Sequence, residues 1–93
     1  MNEPEKYRLV FTPLFTKVVG SLKRKSPDLV RAIKSHLLKL EIYPELGKPM
    51  RHTLRNYRRI HIGGSFVLLY EIKERRVYLI DFDHHDRIYK KYS

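Results

Sequence analysis

One run constrains this chain more than any other: Phe66-Val67-Leu68-Leu69-Tyr70-Glu71-Ile72. It is apolar on both alternating faces and rich in aromatic and β-compatible residues, the pattern of a central strand. Gly63-Gly64-Ser65 forms a turn signal before it, and Lys73-Glu74-Arg75 reads as a tight charged turn after it. A strand over Thr53–Ile62 precedes the first turn. A last strand, Arg76-Val77-Tyr78-Leu79-Ile80-Asp81-Phe82, follows the second. The second half of the chain therefore reads as a three-stranded meander.

The first half reads differently. Tyr7 to Phe11 is a short strand with Tyr7, Leu9 and Phe11 on one face. Thr12-Pro13 is a helix start: Thr can accept from the orphan N–H groups, and Pro loses nothing where its N–H would be unpaired. Leu14, Phe15, Val18, Val19 and Leu22 follow at spacings of three and four. Ser26-Pro27-Asp28 repeats the start signal, and Leu29/Val30, Ile33, Leu37 and Leu40 mark the buried side of a second helix. That helix ends near Ile42–Tyr43, because Pro44 biases the residue before it away from helical angles. Pro44 to Pro49 is a loop. The predicted class is α+β, in the order β-α-α-β-β-β with an optional closing helix: a helical hairpin packed on a mainly antiparallel, twisted sheet. At 93 residues this is a single domain, 1–93, with its core over about 6–91.

Composition narrows function. The absence of cysteine excludes a disulfide framework and thiolate metal sites. No run approaches the roughly 20 apolar residues of a membrane span, and the opening residues lack the apolar core of a secretory signal. A cytoplasmic protein without a membrane partner is expected. Twenty Lys and Arg against ten Asp and Glu give a net charge of +10, which points to a polyanionic partner.

Period two along Thr53–Ile62 shows where that charge gathers. One face carries Leu54, Asn56, Arg58, Ile60 and Ile62, and the other Arg55, Tyr57, Arg59 and His61. Lys48 and Arg51 extend the second, cationic face upstream, and no acid occurs from Leu46 to Tyr70. Arg forks match phosphate oxygens, and Tyr and His can stack on bases. The alternative is a solvated face with arginines guarding an edge. Candidate RNA contacts are Lys48, Arg51, Arg55, Tyr57 and Arg58, with Arg87 further on.

The second constellation is Asp81-Phe82-Asp83-His84-His85-Asp86-Arg87-Ile88-Tyr89. Three readings stand. The first is a His/Asp metal site, which adjacent strand residues on opposite faces would make difficult for His84 and His85. The second is a structural pairing of histidines with acids that fixes the tail. The third is an acid/base cluster in which Asp83 or Asp86 orients an imidazole. Joined to the cationic face, the third supplies what metal-free RNA cleavage needs. A base takes the 2′-hydroxyl proton, cations hold the phosphate charge, and an acid protonates the leaving 5′ oxygen.

The element order, the segment Tyr57–Tyr70 and the closing His84-His85-Asp86-Arg87-Ile88-Tyr89 together resemble the RelE/ParE toxin superfamily, RelE-like members above all. The resemblance covers roughly residues 6 to 91. It implies a toxin of a type II toxin–antitoxin system, acting as a ribosome-dependent mRNA endonuclease without cofactor or metal. Its partners would be the ribosome, mRNA and a cognate acidic antitoxin that blocks the basic face; the toxin would be a monomer alone and a hetero-oligomer with that antitoxin. The family's strand-borne basic residues correspond to Arg59 and His61, and its C-terminal Tyr to Tyr89. Catalytic candidates are accordingly His85, Tyr89, His84, His61 and Arg59. The chain departs from the family where His85 and Val67 stand at positions that usually hold Arg. A non-catalytic ParE-like toxin that poisons gyrase, and a plain RNA-binding module, are the competing readings.

Overall fold

The computed structural model describes residues 5–51 and 56–92. Strand β1 (Arg8–Phe11) leads into α1 (Pro13–Lys25) and α2 (Pro27–Ile42). A 3-10 turn, Pro44–Leu46, and the two-residue strand β2 (Lys48–Pro49) follow. Strands β3 (Tyr57–Ile62), β4 (Phe66–Lys73) and β5 (Arg76–His84) form the meander, and α3 (His85–Lys91) closes the chain. The sheet order is β1-β5-β4-β3-β2, with β1 parallel to β5 and every other pair antiparallel. The expected α+β hairpin-on-sheet class is what forms, with β4 at its centre.

The helix starts act as their residues dictate. The Thr12 hydroxyl accepts from the Phe15 N–H at 3.3 Å and donates to the Leu79 carbonyl at 2.6 Å, so it both caps α1 and ties it to β5. Ser26 stands at the start of α2 but makes no side-chain capping bond there. Its N–H instead donates to Leu22 O and closes α1. The α2 residues Val30, Ile33, Leu37 and Leu40 are buried, as their spacing predicts. They pack with Phe15 onto Ile60, Ile62, Leu68, Tyr70, Val77, Leu79 and Phe82. Fully burying each large apolar side chain contributes about 1.5–3 kcal/mol before entropy is counted.

Three features were not in the sequence reading. The predicted loop at Pro44–Pro49 holds a 3-10 turn and β2, which pairs Lys48 with Arg59 and Pro49 with Arg58. β3 starts at Tyr57 rather than Thr53; Thr53, Leu54 and Arg55 lie outside the described residues. In β5 the register slips: Leu69 faces Asp81 but Tyr70 faces Leu79, leaving Ile80 as an extra residue. Strict alternation would set Asp81 beside Val77 and Leu79 in the apolar core. The bulge reverses the phase, so Phe82 joins the core and Asp81 turns to the other side.

That other side is also covered. Val67 and Leu69 point away from the helical hairpin and are fully buried, and α3, which contacts both β4 and β5, buries Ile88 there. Asp81, the one buried charged residue among those described, anchors α3. It accepts from Lys91 Nζ at 2.7 Å and from the Tyr92 hydroxyl at 2.9 Å.

Candidate functional site

The sheet face opposite the hairpin carries both constellations. The ladder sets His61, Val67 and Asp83 side by side, and likewise Arg59, Leu69 and Asp81. Tyr57, Arg59 and His61 therefore share one face of β3, as period two predicts. Arg59 is half-buried, held by the Pro49 carbonyl at 3.0 Å and by Met50 Sδ at 3.7 Å. Its Nε is the one buried side-chain polar atom without a partner among the described residues. Lys48 and Arg51 are exposed beside it.

Arg58 does not join this face. It lies on the side of Ile60 and Ile62, and its guanidinium donates to the carbonyls of Gly47 (2.7 Å) and Glu45 (3.3 Å). There it fastens the loop before β2. Arg55 lies outside the described residues. A cleft of about 310 Å³ opens at the outer edge of β3. Lys48, Arg59 and His61 line it together with His36 and Lys39 of α2, over Gly47. Neither His36 nor Lys39 stands among the candidates read from the sequence. Helical periodicity carries no sign that the C-terminal part of α2 runs beside the edge of β3.

At the end of β5 the backbone turns into α3, so His84 and His85 are not successive strand residues on opposite faces. Their ring centroids are 4.5 Å apart. His84 caps α3, its Nδ1 accepting from the Asp86 N–H at 3.3 Å, and Phe66 meets its ring edge-on at 6.0 Å. His85 Nδ1 lies 2.9 Å from an Asp86 carboxylate oxygen. The spacing of four along α3 brings the Tyr89 ring to 6.3 Å from that of His85. Asp86, not Asp83, is thus the acid that orients an imidazole.

Asp83 has another task. It accepts from Arg87 Nε at 2.8 Å, from the His84 N–H at 2.8 Å and from Lys91 Nζ at 3.3 Å. Burial works to raise its pKa, but these donors together outweigh burial and hold the carboxyl below its usual range. The pair with Asp83 in turn raises Arg87, whose charge is engaged within the molecule. The hydrogen bond to Asp81 holds Lys91 above its ordinary value. Burial, then the same carboxylate, pushes the Tyr92 hydroxyl well up.

The sequence and the fold have counterparts in known proteins. Residues 6–89 match the family model of the ParE toxin of the type II toxin–antitoxin system parDE. The chain belongs to the RelE/ParE toxin family. This RelE/ParE toxin is 34% identical over 87 residues to a candidate toxin, RelE4, of Methanocaldococcus jannaschii, a match that covers 91% of the chain and 93% of that protein. A chain of the toxin–antitoxin complex RelBE2 from Mycobacterium tuberculosis superposes with a TM-score of 0.72 at 25% identity, covering 85% of this chain and 98% of that one. YoeB from Staphylococcus aureus shares the fold, with a TM-score of 0.76 at 15% identity over 86% of this chain and 98% of that one. No described helix of the RelE/ParE toxin is long and apolar enough to cross a membrane.

Proposed function

We propose that this toxin is a ribosome-dependent mRNA endonuclease that inhibits translation by acid–base cleavage of RNA. The supporting observation is the pairing of an Asp86-oriented His85 and its neighbour Tyr89 with a basic strand face that bears no acid. Lys48 and Arg59, which line the cleft, hold the phosphates. Arg51 and Tyr57 extend the track for the strand. His85 accepts the 2′-hydroxyl proton, and Asp86 keeps the imidazole turned for that role. The freed oxygen attacks the adjacent phosphorus and expels the 5′ oxygen, which takes a proton from Tyr89 or from His84. His61, two ladder pairings from Asp83 through Val67, lies on the same face and adds a hydrogen-bonding ring to the phosphate track. DNA, without the 2′-hydroxyl, is not a substrate. The relatives crystallised as toxin–antitoxin complexes support an antitoxin partner, and an acidic one fits the basic face.

Primer extension on a translated mRNA tests this reading. The toxin is expected to create new 5′ ends at ribosomal A-site codons, and none when ribosomes are omitted. His85→Ala should slow their appearance about 10²–10⁴-fold; cutting at the wild-type rate would remove His85 from the mechanism.

One observation favours a second reading, a ParE-like toxin that does not cut. Val67, where the family resemblance leads one to expect Arg, is fully buried and offers no cation. Loss of gyrase supercoiling with mRNA left intact would select that reading.

A further inference from the structure

His84, His85 and Asp86 are more than an acid–base pair with its orienting carboxylate. Each presents one ligand-capable atom, and the three atoms lie within 4.8 Å of one another. We infer that these residues bind a single Zn²⁺-class transition-metal ion, and that the ion switches off the RNA-cutting site.

The chemistry of the donor set selects the ion. Two imidazole nitrogens and one carboxylate oxygen suit Zn²⁺, Ni²⁺ or Cu²⁺, whereas Mg²⁺ and Ca²⁺ prefer oxygen. Donors around one tetrahedral ion lie about 3.3–3.5 Å apart, given bonds of about 2.0–2.2 Å. The ligand atoms, within 4.8 Å of one another, would have to close by side-chain rotation. The side chains have room for it, being 35%, 39% and 73% exposed. His84 Nδ1 accepts from the Asp86 N–H, so this nitrogen presents a lone pair on the side of Asp86.

Electrostatics agree despite the chain's positive charge. Among the described residues, the Asp86 carboxylate has no Lys or Arg within ion-pairing distance; its partners are the two rings. The nearby cations Arg87 and Lys91 are turned to Asp83 and Asp81. Three donors are supplied, so one position remains for water, as in open zinc sites. The inhibitory half of the inference rests on the proposed RNA-cutting role. Coordination occupies the imidazole lone pair that would accept the 2′-hydroxyl proton. The binding half stands without that role.

Titration of ZnCl₂ into the full chain, followed by calorimetry and by the histidine ring signals in NMR spectra, separates the two halves. One saturable Zn²⁺ per chain is expected, with the His84 and His85 rings shifting together and those of His36 and His61 unmoved. Asp86→Asn preserves side-chain size, and His84→Ala removes a ligand; each should weaken binding at least about tenfold while retaining helical circular dichroism. No saturable binding, full-strength binding in both variants, or shifts at His36 or His61 instead would overturn the site. In the primer-extension assay, Zn²⁺ at the concentration that fills the site should slow cleavage at least about tenfold. Unchanged cleavage with the site filled would overturn the inhibition. A chain that binds Zn²⁺ at these residues yet cuts nothing upholds the site and overturns the RNA-cutting reading together with the switch.

Discussion

At the scale of single residues, the loop that presents Lys48 depends on one buried hydroxyl and one missing side chain. The Tyr70 hydroxyl accepts from the Gly47 N–H at 2.8 Å and donates to the Pro44 carbonyl at 2.7 Å. A Cβ at Gly47 would stand 2.7 Å from the Arg59 carbonyl oxygen, so only Gly fits. Tyr70→Phe strands two backbone groups in the interior and should cost about 1–3 kcal/mol, read as a lower urea midpoint. An unmoved midpoint would mean that water replaces the hydroxyl. The β4–β5 turn stores strain of another kind, with Glu74 and Arg75 at φ of 52° and 60°. Both central positions of such a turn favour Asn or Gly. Glu74→Asn should raise stability by up to about 1 kcal/mol, seen as a higher melting temperature. Little of this was legible beforehand. Tyr70 reads as a core aromatic, which it is, but nothing in a strand pattern reports that its hydroxyl holds a loop. Arg58 was grouped with the RNA contacts because its neighbours are basic, yet its partners are two carbonyls supplied by a turn eleven and thirteen residues earlier.

Among the elements, α3 is the one whose docking is electrostatic as well as apolar. Its last turn hangs on Asp81 through Lys91 and Tyr92. Both groups titrate above their ordinary values, which lie at about 10. A raised folded value means stability that is complete below the unfolded pKa and lost as pH rises through the folded one. The melting temperature of the wild type should therefore hold to about pH 10 and fall beyond it. Asp81→Asn should lie lower at neutral pH and lose less between pH 9 and 11, a comparison that differential scanning calorimetry can make. Parallel curves for the two proteins would show that α3 is held by Ile88 alone. The elements of the first half were legible because Thr-Pro and Ser-Pro starts and apolar spacing are local signals. The bulge at Ile80 was not, since its cause lies in keeping a carboxylate out of the core, and only the paired strand reveals that. The closing helix was legible as an option, because its seven residues offer no apolar stripe beyond Ile88.

For the molecule as a whole, charge is distributed by face. Lys48, Arg59 and His61 gather on the edge of β3, and the acids of the C-terminal segment are spent on Lys91, Arg87 and the histidines. Binding of single-stranded RNA should weaken steeply with salt. Lys48→Gln should reduce the slope of log K against log salt by about 0.7, while Lys17→Gln on α1 leaves it unchanged; fluorescence anisotropy measures both. Equal slopes in all three proteins would place the RNA elsewhere. The cationic stripe itself was legible from period two and the lack of acids, but the cleft was not, because α2 contributes to it across the fold.

The parallel pairing of β1 with β5 bears on the order of synthesis. Strand β1 is made before both helices of the hairpin, yet its sheet partner is β5, Arg76–His84, made after every other strand. The histidines of the candidate site follow immediately after. A growing chain can form its helical hairpin early, since domains tend to fold from the N-terminus as they emerge, but it cannot complete the sheet or seat α3 until Arg76–Lys91 has been added. The candidate site is therefore among the parts of the domain that take shape last.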